Sequence, residues 1–175
     1  MACGNNTYGA SLVALAPGVA ATFAIAELDG SATKRITLNR IAINGTKLTA
    51  VAVQDLRLTK LSAISTGGTA TTGVAVPFVS SLPAATAVFR GFTVAPTGGG
   101  TVIGAIATSK LVLDVITTLM PMQTVLFDFT GLPFGSRPTL INAAQAFALD
   151  FNGATPAHAE SLDIYAWWSE SPLNS

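Results

Sequence analysis

AFALDFNGATPAHAESLDIYAWW, residues 146–168, decides the fold. In its first part Phe147, Leu149 and Phe151 alternate with Ala146, Ala148 and Asp150. In its last part Leu162, Ile164, Ala166 and Trp168 share one face, and Asp163, Tyr165 and Trp167 share the other. A period of two is the signature of a β-strand. Asn152-Gly153 is a turn dipeptide that opens a longer loop running through Glu160. If Leu162 and Ile164 point inward, so does Trp168, which leaves Tyr165 and Trp167 on the outer face.

The same rhythm extends toward the N-terminus. Val125, Phe127 and Phe129 fall on one face, and Gly131, Pro133, Gly135 and Pro138 interrupt the chain after them. Val102–Ala107 and Lys110–Val115 read as two strands. Between Thr86 and Val94, Ala87, Phe89 and Gly91 alternate with Val88, Arg90 and Phe92, and the run Pro96 to Gly100 ends the strand. Pro77 and Pro83 mark an irregular connection or a sheet edge. Leu48–Ile64 reads as two phased strand pieces, Val51/Val53 and Leu56/Leu58, and Ser65–Gly73 as a loop. Lys34–Ile43 is a strand whose phase slips at Asn39-Arg40, the pattern of a β-bulge. Asn44-Gly45 then reads as a turn, as does Asp29-Gly30. Residues 1–16 form an extended arm, 17–170 the folded domain and 171–175 a tail. About eight core strands with long connections predict an all-β, single-domain, jelly-roll-like sandwich with Greek-key wiring.

Composition agrees. The 175 residues carry nine Lys/Arg and nine Asp/Glu, so the formal net charge is zero. Only 10% of residues are charged, against about 25% in an ordinary soluble domain. Half are apolar and the mean hydropathy is +0.55. These values exclude a disordered chain and count against a nucleic-acid binder, which normally carries a basic stripe. The charge-free stretches 61–89 and 91–109 are too rich in Gly, Pro, Ser and Thr for membrane spans. Residues 1–26 lack the positive start of a signal peptide, and Pro17-Gly18 interrupts their apolar run. Without a secretion signal, Asn5-Asn6-Thr7 and Asn44-Gly45-Thr46 read as chance glycosylation matches. A charge-poor surface is easiest to keep soluble when neighbours cover it, which favours an assembling protein.

No constellation of residues points to catalysis. His158 is the only histidine and sits in the loop before Glu160; Cys3 is the only cysteine, so it makes no intrachain disulfide. Neither a nucleophile elbow nor a zinc-ligand set is present. Asp128, Asp150, Glu160, Asp163 and Glu170 follow no diagnostic spacing for a glycosidase pair. Asp150-Phe151-Asn152-Gly153 lacks the ligand series of a calcium loop. Thr97-Gly98-Gly99-Gly100-Thr101 lacks the Gly-Lys-Ser/Thr of a phosphate loop and reads as a turn. Arg35, Arg40, Arg57, Arg90 and Arg137 are scattered. No catalytic residue, cofactor or metal is expected. The candidate residues are Phe92, Tyr165 and Trp167, as outer-face aromatics suited to a protein interface or to stacking on a sugar.

Three blocks carry a resemblance: PGVAATFAIAELDGSATKRITLNRIAINGT (17–46), ATAVFRGFTVAPTGGG (85–100) and LFDFTGLPFGSRPTLINAAQAFALDFNGATPAHAESLDIYAWWSE (126–170). In this order the chain resembles the small jelly-roll cement or decoration proteins of tailed bacteriophage capsids. The last block is the most telling: an aromatic strand, a Gly/Arg/Pro loop, a strand ending in Asn-Gly and a terminal strand ending Trp-Ser-Glu. The N-terminal arm and the Leu61–Pro83 connection depart from shorter relatives. The resemblance implies a non-enzymatic virion protein on the outer capsid surface that bridges major capsid protein subunits. It also implies a homo-oligomer, a trimer more often than a dimer, with the arm and exposed loops on the capsid. Related folds occur in tail fibres and spikes, which makes a tail or head-fibre module binding a host receptor or glycan the alternative.

Overall fold

The computed structural model describes residues 6–17, 24–47, 52–115, 124–152 and 160–173. Cys3 and His158 lie outside them. The described residues form twelve strands: β1 (Asn6–Leu15), β2 (Ala26–Asp29), β3 (Lys34–Lys47), β4 (Ala52–Leu61), β5 (Thr69–Gly73), β6 (Val76–Pro77), β7 (Phe89–Val94), β8 (Val102–Val115), β9 (Val125–Asp128), β10 (Thr139–Leu140), β11 (Ala146–Asp150) and β12 (Glu160–Pro172). One short 3-10 turn, Phe134–Ser136, precedes β10. The strands build two antiparallel sheets packed as a sandwich. Sheet I runs β6-β1-β12-β3, with β9, β10 and the end of β8 placed along the far side of β3. Sheet II runs β5-β7-β2-β11-β4-β8. The sheets join at one corner, where β8 pairs in parallel with β3 through Thr46↔Asp114 and Lys47↔Val115.

The alternation read in 146–151 and 162–168 is what the structure contains. Leu162, Ile164, Ala166 and Trp168 of β12 are buried between the sheets. Trp168 stacks on Tyr8 of β1 with ring centroids 6.0 Å apart. Phe147 and Leu149 of β11, Leu56 and Leu58 of β4, and Phe89 of β7 close on them from sheet II. Burial of so many large side chains is the main term holding the sandwich together. The expected bulge is also present. Trp167 pairs with Arg40 but Trp168 pairs with Leu38, so Asn39 is the extra residue of β3. It keeps Ile36 and Leu38 on the same face as Ile41 and Ile43, all of them buried. Its side chain is engaged on both sides, donating from Nδ2 to Ser169 Oγ at 2.8 Å and accepting from Arg137 Nη1 at 2.9 Å.

Several expectations need correction. From Asn6 the proposed arm is a sheet strand, antiparallel to β12, with Tyr8, Ala10, Leu12 and Leu15 buried. Asn44-Gly45 makes no turn, and β3 runs straight through it to Lys47. A Cβ on Gly45 would lie 2.5 Å from Leu162 Cδ2 and 2.8 Å from Leu113 Cδ2, so the glycine provides room for core side chains. Val102–Val115 is one strand rather than two, with Ile103 and Ile106 bulged out of register against β4. Val53 points out of the core, whereas Gln54, Leu56 and Leu58 are buried. The strand count exceeds eight because of the short pieces β5, β6, β9 and β10.

One connection shapes the outer surface of sheet II. The chain leaves β4 at Leu61 and enters β5 at Thr69, on the opposite edge. Residues 62–68 therefore cross outside β11, β2 and β7 as a strap. Ser65 N–H donates to Glu27 Oε1 of β2 at 2.8 Å, and Arg90 Nη2 of β7 donates to Ser65 O at 3.3 Å. The glycine-rich turn 98–100 meets the strap backbone to backbone: Thr66 N–H donates to Gly98 O, and Gly100 N–H to Ala63 O. A Cβ on Gly100 would sit 2.0 Å from Ala63 N, which explains the glycine at this approach.

A buried carboxylate ties down the end of the core. Glu170 accepts hydrogen bonds from Trp168 Nε1 (3.1 Å), Thr86 N (2.9 Å), Ala87 N (2.9 Å) and Thr86 Oγ1 (2.8 Å). Tyr8 Oη donates to Pro83 O in the same loop at 2.9 Å. Replacing Glu170 with Ala leaves buried donors unsatisfied and is expected to cost about 3 kcal/mol. Urea denaturation of the variant checks this, and an unchanged midpoint would contradict the assignment.

Candidate interaction surface

No described segment crosses the outer face of sheet I. Because side chains alternate, the residues facing outward on β1, β12 and β3 are those not used in the core. In cross-strand order they form two rows: Gly9–Trp167–Arg40 and Ser11–Tyr165–Ala42. On β9, Leu126 and Asp128 continue these rows opposite Ala42 and Arg40. On the other side, Val76 of β6 pairs with Gly9, and Phe78 N–H donates to Thr7 O at 2.9 Å.

Trp167 lies at the centre. A Cβ on Gly9 would come within 2.7 Å of Trp167 Cδ1 and 2.8 Å of Phe78 Cε1. Glycine at this position therefore lets both rings settle on β1. Arg40 stacks its guanidinium 4.8 Å from the Trp167 ring centre from the β3 side. Phe78 meets Trp167 edge-on at 6.5 Å from the β6 side. Cation–π and edge-to-face contacts of this kind fix side chains in place. The rings, with Val74, Val76, Ser11 and Tyr165, line a groove of about 230 Å³. Val74, Val76 and Phe78 are 79%, 58% and 59% exposed.

Arg40 also pairs with Asp128 Oδ2. Asp128 Oδ1 accepts from Thr130 Oγ1 at 2.6 Å and from Thr130 N at 2.8 Å. These Thr130 bonds, with Arg40 adding, hold the Asp128 carboxyl down at about 2.

The structure brings Tyr165 and Trp167 together on this face, half-buried and two residues apart on β12. It does not bring Phe92 to them. Phe92 lies on sheet II and is 1% exposed. It does point away from the main core, as its alternation with Phe89 and Gly91 requires. The strap covers that face, however, and Phe92 packs there with Ala24, Leu61, Ala146 and Ala148. Phe92 is therefore no candidate for an exposed interface. Val74, Val76, Phe78 and Arg40 are members that the sequence reading missed. The alternation of Val74, Val76 and Phe78 was a signal, obscured by the breakers around it.

The carboxylates weighed for catalysis have structural partners. Asp150 pairs with Arg57 at 3.1 Å, Asp163 Oδ1 accepts Ala14 N–H at 2.8 Å, and Glu170 holds the loop described above. Ala14 has φ 53°, within the irregular end of β1 where this bond pins it. The Glu160 side chain lies outside the described residues. Among the described residues no three His, Cys, Asp or Glu side chains converge as a metal site. No helix of the described residues is long and apolar enough to cross a membrane.

Comparison with protein-family models, with curated proteins and with solved structures finds no match for this chain.

The Asp128 geometry makes a pH prediction. Its folded pKa lies below the ordinary 3.8. It therefore favours the folded state above that pH, and the contribution disappears as pH falls through about 2. Carboxyl-carbon NMR should show Asp128 titrating near 2, and Thr130→Val should raise it. Titration of the native residue at 3.8 would contradict the geometry.

Proposed function

We propose that this protein is a structural subunit of a virion, a jelly-roll-like sandwich that decorates the outer capsid surface and cements it by bridging major capsid protein subunits. The observation that carries the reading is the open aromatic face of sheet I, with Trp167 held between Arg40 and Phe78. Aromatic and arginine side chains in an apolar patch with a polar rim are the usual anchors of protein interfaces. The resemblance of the three sequence blocks to phage cement proteins supports the shell as the partner, and a homo-oligomer, trimeric before dimeric, as the working unit. The role is non-enzymatic and uses no cofactor and no nucleic acid. A modest interface suffices, because many copies on one shell add through multivalency.

The strand edges support association through a face rather than by strand addition. Pro77 on β6 lacks an N–H to donate. The long edge of β8 carries bulges at Ile103 and Ile106, and Lys110 pairs with Asp55 at 2.6 Å. Prolines, bulges and lysines are the devices that blunt an edge.

The second reading is a tail or head-fibre module that binds a host receptor or glycan. The groove beside Tyr165 favours it, since a half-buried ring that lines a groove can stack on a sugar. Trp167 serves this reading less well, because Arg40 and Phe78 flank it from its two sides.

Cryo-electron microscopy of the assembled particle tests the proposal. Density for this chain repeating over the shell, with sheet I against capsid subunits, is expected. Density confined to the tail or one vertex would overturn cementing in favour of host recognition, and absence from the particle would remove both. Phe78→Asp should weaken particle binding at least tenfold, with little change in thermal midpoint because the residue is exposed. Unchanged binding would exclude this face as the contact.

A further inference from the structure

Beneath the strap, among the described residues, lie two carboxylates and a single cation. Glu27 and Asp29 project from β2, and Arg90 projects from the neighbouring β7. Arg90 Nη2 donates to Asp29 Oδ1 at 3.0 Å, and its Nε lies 2.8 Å from Asp29 Oδ2 in ion-pair contact, off the line of a hydrogen bond. Arg90 Nη2 is 3.6 Å from Glu27 Oε1. The Glu27 side chain is fully buried, and Oε1 accepts the strap's Ser65 N–H. Its other oxygen, Oε2, has no hydrogen-bond partner among the described residues. The next charged pair on this sheet, Arg57 and Asp150, is occupied with itself.

With both carboxyls ionised, this buried cluster carries one uncompensated negative charge and one unsatisfied acceptor. Each is costly away from water. A single proton shared by the Asp29 and Glu27 carboxyls, both of them held against Arg90, removes both problems.

We infer that a proton latches the strap: protonated Asp29 donates to Glu27, the cluster with Arg90 becomes neutral, and Glu27 holds Ser65 N–H. Loss of that proton as pH rises loosens residues 62–68 from sheet II and uncovers Phe92. Burial is the largest influence on Asp29 and pushes its carboxyl up to about 7, against the pull of Arg90 and with the help of Glu27. A carboxyl whose value is higher with the strap closed than with it open favours closure in acid, and that contribution is lost as pH climbs through about 7. The exit of the strap turns at Gly67 and Gly68, both at φ 71°, where glycine turns without strain. The inference is independent of any capsid role.

The test uses the full chain. Carboxyl-carbon NMR follows Asp29 across neutral pH. Amide hydrogen exchange, corrected for intrinsic rates, gives protection factors for residues 62–68 at about pH 6 and 8. Asp29 is expected to titrate near 7, and strap protection to fall about tenfold over that interval while the β3–β12 ladder keeps its own. Asp29→Asn retains a donor toward Glu27 but has no proton to lose, so its strap protection should be the same at both values. Titration of Asp29 in the ordinary carboxylate range would overturn the latch, as would strap protection that does not change with pH in the native protein. If Asp29→Asn does not fold, the two native measurements decide.

Discussion

The antiparallel ladder between β3 and β12 is the interaction on which the rest of the molecule depends. It pairs thirteen positions, from Glu160↔Lys47 to Pro172↔Lys34. β1 adds to the free side of β12, and β9, β10 and the end of β8 add to the free side of β3. A strand slipped by one residue would turn every side chain to the opposite face. Asn39, bulged and bonded to Ser169 and Arg137, makes one such slip locally and thereby corrects the phase. With that register, Trp168, Ile164 and Leu162 face the core. Trp167 and Tyr165 are then bound to face outward, and the surface chemistry of sheet I is set by the packing of its interior.

The two outer faces meet different fates. Sheet II is covered by its own chain, because β4 and β5 lie on opposite sides of β11, β2 and β7 and the connection must cross them. A backbone segment laid over a sheet needs partners for its polar groups. Glu27, Arg90 and the 98–100 turn supply them. Two carboxylates share one guanidinium beneath that cover, which makes the cover sensitive to protons. No described segment crosses sheet I. Its outward row is aromatic and aliphatic, with Arg40 and Asp128 neutralising each other. The proposed association rests on this apolar face of a charge-poor protein.

Much of this is legible from alternation alone. The β11 and β12 phases, the Asn39 bulge, the edge at Pro77 and the outward direction of Tyr165 and Trp167 all derive from period-two patterning with turn and breaker chemistry. The failures share a physical cause. Phe92 does point away from the core, as its alternation requires, but alternation says nothing about what lies on the next layer, and a strap from distant sequence buries it. Asn44-Gly45 has the composition of a turn, but the same glycine also suits a strand that must pass close to Leu162 and Leu113. β1 has the look of an arm because a polar start masks the alternation of Tyr8, Ala10 and Leu12. The partners of Trp167, from Gly9, Arg40 and Phe78, come from three separate strands or loops, and only the register of the sheet brings them together.

Phe92's side of sheet II is thus covered by the chain itself, while no described segment crosses sheet I. Hydroxyl-radical footprinting with mass spectrometry tests this contrast residue by residue. In the isolated protein Phe78 and Trp167 should be labelled and Phe92 protected, and on the assembled particle Phe78 and Trp167 should become protected as well. Labelling of Phe92 as readily as Phe78 in the isolated protein would contradict the sealed face, and undiminished labelling of Phe78 and Trp167 on the particle would contradict the open one.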